Sequence, residues 1–124
     1  MILVDTSVWI DHLRKGDKEL VRLLLDTQVL IHPFVVGELA CGNLENREEI
    51  LGLLSDLPAV DVASHTEILY FIDQRQLMGR GIGYVDAHLL ASISLTPSAR
   101  LWTRDKRLAQ VAADLNLARG GRKA

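Results

Sequence analysis

ILVDTS, at residues 2–7, is a short apolar run that ends at an acid and two hydroxyl residues. A run of aliphatic residues without polar alternation predicts a short strand that is buried on both faces. The side chains at positions 5–7 can cap a helix that begins near Val8. LWTRD, at residues 101–105, shows the same order before a second capped helical segment. Two strand–helix units of this kind favour an α/β fold with a mainly parallel sheet.

The residues between these two units alternate short β-like runs with longer helical segments. Four strands are predicted, at residues 2–4, 29–31, 59–62 and 101–103. Leucine spacing and capping residues predict further helices at about residues 17–27, from 33 onward, and at 47–57, 65–78, 84–95 and 106–115. Because crossovers between parallel strands are right-handed, such helices should cover both faces of the sheet.

Composition limits the class of protein. The chain has 124 residues, of which 48% are hydrophobic and 24% are charged, and its net charge is −2. We expect one globular domain at residues 1–117, followed by a disordered basic tail at residues 118–124. A single cysteine, Cys41, cannot form an intrachain disulfide. The apolar runs are far shorter than the roughly 20 residues of a membrane span, and no leader pattern opens the sequence. We therefore expect a cytoplasmic protein without membrane contact.

Four acids are candidates for a common site. Asp5 directly follows the first strand, and Asp105 closely follows the last. Since sites in open parallel sheets form beyond the carboxyl ends of the strands, both acids should lie at the same edge. Asp86 shares a helix face with leucine and isoleucine, where an ionised carboxylate is costly unless a cation or hydrogen-bond donors meet it. Glu38 lies at the margin of a similar apolar stripe.

Each acid also has a simpler interpretation. Asp5 and Asp105 could be helix caps. Asp86 could be a first-turn acid favoured by the helix dipole, and Glu38 a boundary residue that faces solvent. Carboxylates that converge without arginines, however, stay ionised only if a divalent cation joins them. Oxygen-only ligation favours Mg²⁺, and Mn²⁺ can substitute. The four histidines form no pair at zinc spacing, so we interpret them as surface or packing residues.

Positive charge flanks the last acid. Arg104, Lys106 and Arg107 could form a solvated helix face, or they could hold phosphates beside an acidic site. A net charge of −2 argues against a nucleic-acid partner only if every acid lies on the surface. If four acids are metal ligands, the rest of the chain is positive. The glycines at 79, 81 and 83 follow a helix and lack the G-x-G-x-x-G pattern, which disfavours a nucleotide-binding loop.

Four motifs in this order resemble those of PIN-domain ribonucleases. They are DTSVWID at residues 5–11, VGEL at 36–39, YVDA at 84–87 and LWTRD at 101–105. More narrowly, residues 1–117 are similar to the VapC toxins of bacterial and archaeal toxin–antitoxin pairs. The resemblance implies a PIN-like α/β/α sandwich around a mainly parallel sheet, with the acids clustered at one edge. Residues 1–117 would then be a PIN-like nuclease domain.

The resemblance also implies a metal-dependent endoribonuclease whose catalytic residues are Asp5, Glu38, Asp86 and Asp105. Asp5 and Asp86 would be the main Mg²⁺ ligands. Glu38 and Asp105 would be further or water-mediated ligands, or would orient the attacking water. Thr6 and Thr103 match the hydroxyl positions beside the first and last acids and would support them. The substrate would be tRNA or another structured RNA, cut to leave a 5′-phosphate and a 3′-hydroxyl.

Partners follow from the same resemblance. It implies a homodimer that binds an antitoxin encoded beside it, and the complex would reach promoter DNA only through that antitoxin.

Three other classes of protein remain open at this point. A receiver-type signalling domain has similar length, but it needs an acidic pair after the first strand, and Asp5 stands alone there; its phosphorylated acid would have to be Asp61. A haloacid-dehalogenase-like phosphatase needs D-x-D, whereas position 7 is serine. A catalytically inactive PIN fold that only binds a partner is disfavoured by the four intact acids.

Overall fold

The structure, a computed structural model, describes residues 1–120, and its strands are β1 (Ile2–Val4), β2 (Val29–Leu30) and β3 (Arg100–Trp102). Within these residues the three strands form one parallel sheet in the order β2-β1-β3. The helices within these residues are α1 (Thr6–Lys15), α2 (Lys18–Leu25), α3 (Pro33–Ala40), α4 (Arg47–Ser55), α5 (His65–Gln74), α6 (Tyr84–Ser94) and α7 (Lys106–Asp114). None of these helices has the length and apolar character needed to cross a bilayer. The predicted α/β fold with a parallel sheet is confirmed.

The strand predicted at residues 59–62 is wrong. This segment makes a single bridge, in which Ala59 pairs with Ile31. Two hydrogen bonds hold the bridge: Ile31 N–H donates to the carbonyl of Pro58 at 2.8 Å, and Val60 N–H donates to that of Ile31 at 3.0 Å. The carbonyl of Asp61 instead accepts the hydroxyl of Ser92 at 2.6 Å, which ties the segment to α6. The next rung of a parallel ladder would need an N–H group at residue 33, but Pro33 has none and begins α3, so the ladder cannot continue into a strand.

Several helices begin where a nearby side chain caps them. Asp5 is the N-cap of α1, so this helix begins at Thr6, earlier than predicted. Asp17 caps α2 by accepting two backbone N–H groups. Ser64 and Glu67 form the predicted capping box of α5, in which each side chain binds the backbone of the other residue. These caps satisfy the N–H groups that have no partner inside the helix, which fixes each start from a few neighbouring residues.

Helix α6 is the central helix of the core. Every residue from 87 to 93 is buried, and Leu89 and Leu90 are completely so. The residue that precedes this buried stretch is Asp86, in the first turn of the helix. The apolar stripe predicted around Asp86 therefore exists, although α6 is buried around its whole circumference rather than on one face.

The backbone continues to make contacts with the sheet beyond the predicted domain boundary at residue 117. Leu101 donates its N–H to the carbonyl of Leu117, and Arg119 donates its N–H to the carbonyl of Leu101, both at 2.7 Å. The guanidinium of Arg119 lies 4.2 Å from the ring centroid of Trp102 and pairs with the carboxylate of Glu19. The first residues of the segment predicted as a basic tail thus pack beside β3. Residues 121–124 of that tail lie outside the described residues.

Two of the four histidines are packed in the interior, as predicted for packing residues. His32 is completely buried and His88 is 2% exposed, and their ring centroids lie 6.0 Å apart. The Nδ1 atom of His32 caps α3 by accepting the N–H of Phe34 at 2.9 Å, so this nitrogen must carry no proton. Burial, and to a smaller extent the charge of the neighbouring His88, lower the pKa of His32 to about 4. His32 is therefore neutral at pH 7.

The buried His32 predicts a specific loss of stability in acid. Its pKa is lowered in the folded state, so its contribution is present above the unfolded value of 6.5 and is lost as the pH falls towards about 4. Between pH 7 and pH 5, the free energy of unfolding should fall by about 2 kcal/mol on this account. His32→Asn keeps an acceptor at the N-cap but cannot titrate, and should remove most of this loss in urea unfolding. His65→Asn, at an exposed position, should keep it. An unchanged pH dependence in His32→Asn would contradict the assignment.

Candidate active site

Asp5 stands where β1 ends, and its carboxylate is held by hydroxyl groups from both sides. The side chain of this nearly buried acid accepts hydrogen bonds at Oδ2 from Ser7 Oγ and Thr103 Oγ1, each at 2.7 Å. Its backbone N–H donates to the carbonyl of Trp102 at 2.9 Å. Among the described residues, none of the side-chain hydrogen bonds uses Oδ1. One oxygen of Asp5 is therefore fixed by the protein and the other is left for a ligand.

Asp105 stands just beyond β3 and caps α7. Its Oδ1 accepts the backbone N–H groups of Arg107 at 2.9 Å and Leu108 at 3.0 Å. Its own backbone N–H donates to Thr103 Oγ1 at 3.0 Å, and the same hydroxyl donates to Asp5. The hydroxyl of Thr103 therefore links the two acids at the ends of β1 and β3. Capping a helix and facing the common edge are thus compatible roles for Asp105, and the same holds for Asp5.

Glu38 is exposed on α3 and is bound to α1. Its Oε1 accepts the hydroxyl of Thr6 at 2.6 Å. Thr6 was expected to support the first acid, but its hydroxyl contacts Glu38 instead. The hydroxyl of the next residue, Ser7, binds the carboxylate of Asp5 instead.

Asp86 lies in the first turn of α6 and is half-buried. Its Oδ2 accepts the N–H of Gly83 at 2.9 Å. Burial raises the pKa of Asp86, the hydrogen bond from Gly83 opposes this, and the charges of the other three acids raise it further. The carboxylates that repel Asp86 are those of Asp5, Asp105 and Glu38. All four predicted acids therefore form one electrostatic cluster, which we call the acidic cluster.

No basic side chain neutralises the acidic cluster among residues 1–120. The ion pairs there join Arg80 to Asp114, Arg104 to both Asp11 and Asp17, and Arg119 to Glu19. None of them includes a member of the cluster. Four carboxylates that share a site without a counter-ion repel one another, and this repulsion would be relieved by a divalent cation.

The carboxylates of the acidic cluster are gathered but do not form a closed set of ligands. In the described part of the chain, no three His, Cys, Asp or Glu side chains stand close enough to hold one metal ion as they lie. Each acid instead makes hydrogen bonds within the protein: Asp5 to Ser7 and Thr103, Glu38 to Thr6, Asp86 to the N–H of Gly83, and Asp105 to amides of α7. In donor chemistry and charge, oxygen atoms only and a surplus of negative charge, the cluster fits Mg²⁺ or Mn²⁺.

The three basic residues around Asp105 differ in their surroundings. Arg104 is held by two acids, through Nε to Asp11 at 3.1 Å and through Nη2 to Asp17 at 2.6 Å. Lys106 and Arg107 are exposed at the start of α7, and no ion pair involves either of them in residues 1–120. Arg104 is therefore already paired, whereas the other two cations remain free to meet a phosphate.

From the sequence, Ser7 was predicted only as a possible helix cap, whereas the structure places its hydroxyl at the centre of the site. Ser7 Oγ donates to Asp5, accepts the backbone N–H of Arg104 at 3.0 Å and lies 3.3 Å from Thr103 Oγ1. A signal for this role was present in the sequence, because a hydroxyl two residues after an N-cap aspartate lies within reach of its carboxylate. The contacts to residues 103 and 104 had no such local signal.

The chain matches known proteins over almost its full length. A family profile described as "PIN domain" matches residues 2–114. Two curated relatives, both named "Ribonuclease VapC32", come from Mycobacterium tuberculosis strains CDC 1551 / Oshkosh and ATCC 25618 / H37Rv. Each is 51% identical over 118 residues, which cover 95% of this chain and 95% of the relative. By this profile match, this identity and the parallel sheet that carries the acidic cluster, the chain belongs to the PIN-domain family, among the VapC-type ribonucleases.

Proposed function

We propose that this chain is a toxin that cleaves RNA endonucleolytically with the help of Mg²⁺, for which Mn²⁺ can substitute. The observation that carries the proposal is the acidic cluster: four carboxylates at one edge of a parallel sheet, with no basic partner in residues 1–120. A receiver-type role has less support, because Asp61 lies in an exposed segment outside the sheet. The names of the relatives add that proteins of this kind act as ribonucleases.

The four acids of the cluster would have different roles toward the metal ion and the attacking water. Asp5, through Oδ1, and Asp86 would be the main ligands of the ion. Glu38 and Asp105 would bind through water, complete a second site or orient the attacking water. Thr103 and Ser7 hold Asp5 in place, and Thr6 holds Glu38. When bound, the ion would lower the pKa of a water molecule and neutralise charge that develops on the phosphate.

The substrate would be tRNA or another structured RNA. In-line attack by water would leave a 5′-phosphate and a 3′-hydroxyl. The chain has only two each of Trp, Tyr and Phe, so few rings are available for stacking on bases. Recognition would therefore depend on RNA shape and on backbone contacts, for which Arg104, Lys106 and Arg107 are the nearest basic residues along the chain.

The test of this function is to incubate the purified protein with total RNA and to map the new 5′ ends. We expect cuts at a small number of positions, each with a 5′-phosphate. An Asp86→Asn variant that is purified in the same way should not make these cuts. This control excludes a contaminating ribonuclease. Random cutting, or identical cutting by both proteins, would contradict the proposal.

We further propose that an antitoxin covers the site, that the toxin is a cytoplasmic homodimer, and that the complex reaches promoter DNA only through the antitoxin. A groove of about 640 Å³ opens beside Glu38. Its apolar lining residues are Ile10, Leu13, Leu39, Leu44 and Ile50. A tail that folds on binding could bury these side chains while a basic residue reached the acidic cluster. For the homodimer, the exposed apolar side chains of Leu69 and Tyr70 on α5 are a candidate contact surface.

Co-expression of the small reading frame beside this gene should rescue growth of cells that make the toxin. Ile10→Arg places a charge in the groove and should weaken both rescue and antitoxin binding. Leu25→Arg, at a position that is 79% exposed and outside the groove, is the matched control and should leave rescue unchanged. If no neighbouring frame binds or rescues, the antitoxin proposal fails.

A further inference from the structure

Gly81 lies directly beneath the side chain of Arg107. A Cβ atom added at Gly81 would stand 2.5 Å from Cδ and 2.6 Å from Nη1 of Arg107, closer than real Cβ contacts allow. The backbone of Gly81 also has a φ of +82°, in the left-handed region that favours glycine. Gly79, in the same loop, has a similar φ of +74°, but a Cβ there would meet nothing within 4 Å. The two glycines therefore share a backbone requirement, and only Gly81 also makes room for Arg107.

Arg107 is connected to both segments that bring Asp105 and Asp86 to the acidic cluster. Its backbone N–H donates to Asp105 Oδ1 at 2.9 Å at the start of α7. Its side chain crosses to the loop that leads into α6, where Gly83 donates its N–H to Asp86. The guanidinium thus rests on the loop next to the cluster, yet no ion pair with a carboxylate involves it in residues 1–120.

This placement is unfavourable for the protein alone. A cation in the first turn of a helix meets the positive end of the helix dipole, and Arg107 follows Lys106 at the start of α7. Arg104, by contrast, is neutralised by Asp11 and Asp17. An exposed guanidinium that the protein orients but does not pair is suited to a ligand with the opposite charge. Because the side chain already lies against the backbone of Gly81, it needs less rearrangement to meet a phosphate than a freely extended arginine would.

We propose that Arg107 binds a backbone phosphate of the RNA beside the acidic cluster, and that Gly81 is the positioning residue that orients its guanidinium. The proposal rests on the RNA-cleaving function proposed above. Four carboxylates repel a polyanion, and a guanidinium that lies against Gly81 beside them offsets this repulsion where the RNA must enter the site. The planar fork of arginine can bind two phosphate oxygens at once, so its orientation affects its strength.

Gly81→Ala and Gly79→Ala form a matched pair that tests the positioning role. Both place a side chain at a positive φ in one loop, so their thermal stabilities should fall to a similar extent. Only the alanine at 81 displaces the flexible end of Arg107. We expect Gly81→Ala to raise KM for RNA about threefold or more with kcat nearly unchanged, because a contact made equally in the ground and transition states affects KM alone. Gly79→Ala should keep the wild-type KM.

Arg107→Ala tests the phosphate contact itself. It should raise KM about five- to tenfold and reduce the salt dependence of RNA binding by close to one counter-ion. In the Arg107→Ala background, Gly81→Ala should have no further effect on KM. A wild-type KM and salt slope in Arg107→Ala would overturn the proposal, even if Gly81→Ala failed to fold. Equal KM values for the two glycine variants, or an undiminished effect of Gly81→Ala without Arg107, would also overturn it.

Failure of the proposed function would look different. In that case the wild-type protein would not cleave RNA, and KM could not be measured. Anisotropy of a labelled RNA on the same variants would still show whether binding depends on Arg107 and Gly81. Cleavage that persists with no dependence on Arg107 would leave the nuclease function intact and remove only this inference.

Discussion

Cleavage of RNA by this protein should stop in EDTA and return when Mg²⁺ or Mn²⁺ is added in excess. The physical reason is the charge of the acidic cluster, whose four carboxylates have no basic partner in residues 1–120. Without a cation, neither the attacking water nor the charge that develops on the phosphate is stabilised. Rates should fall to the level of the uncatalysed background. The measurement is a cleavage time course with chelator, with chelator plus each metal, and without additions.

Metal addition should also stabilise the folded protein, which gives a second measurement that is independent of activity. An ion that binds only the folded state raises the melting temperature, and the rise grows with the logarithm of its free concentration above the Kd. We expect a rise with Mg²⁺ in the wild type and a smaller one in Asp86→Asn. The contrary result would be full cleavage by the wild type in EDTA, while Asp86→Asn, purified in the same way, stays inactive. It would show that the residues of the acidic cluster act without a metal.

Asp86→Asn should have opposite effects on activity and on the stability of the metal-free protein. The change removes a proposed ligand and should lower cleavage at least ~10²-fold, since metal activation of water contributes several kcal/mol. It also removes a half-buried charge that three neighbouring carboxylates repel, while the amide oxygen can still accept the N–H of Gly83. In EDTA, the melting temperature of Asp86→Asn should therefore equal or exceed that of the wild type.

The direction of the pKa shift also predicts how this difference depends on pH. The pKa of Asp86 is raised in the folded protein, chiefly by burial. Its contribution to stability is thus fully present below the unfolded value of 3.8 and is lost as the pH rises through the folded value. The advantage of Asp86→Asn in EDTA should be larger at pH 7 than at pH 4. Asp73→Asn, an exposed acid outside the cluster, should show neither effect. A variant that melts several degrees lower yet keeps its activity would make Asp86 a structural residue.

Much of the secondary structure could be predicted because its determinants are local. Asp5, Asp17 and Ser64 each cap a helix through backbone groups two or three residues away, so a few neighbouring residues determine where the helix begins. The segment at 59–62 was misjudged for the opposite reason. Its apolar pattern is compatible with a strand, but the pairing with residue 31 that would place Pro33 opposite the next rung depends on the tertiary fold, as does the hydrogen bond from Ser92 that ties Asp61 to α6.

The placement of two of the acids at one edge could be predicted from topology. Strands β1 and β3 are parallel neighbours, so residues that follow them must lie at the same edge, and Asp5 and Asp105 do. The sequence also favoured Asp86 as a member, because an acid among leucines is costly without a compensating partner. It could not determine which hydroxyl supports which acid. Thr6 binds Glu38 rather than Asp5, since α1 and α3 pack side by side.

Sequence alone was enough to predict the α/β class, most of the helix starts and the placement of Asp5 and Asp105 at one edge, because capping, periodicity and strand order act over short stretches or follow from topology. The fold was needed to bring Thr103 onto the oxygen of Asp5 that Ser7 also binds, to neutralise Arg104 with Asp11 and Asp17, and to place Gly81 under Arg107. Apart from the local pair of Ser7 and Asp5, these contacts join residues that are far apart in the chain. Their partners are selected by how the helices pack on the sheet, and a distance of a few ångströms between side chains has no counterpart in local sequence.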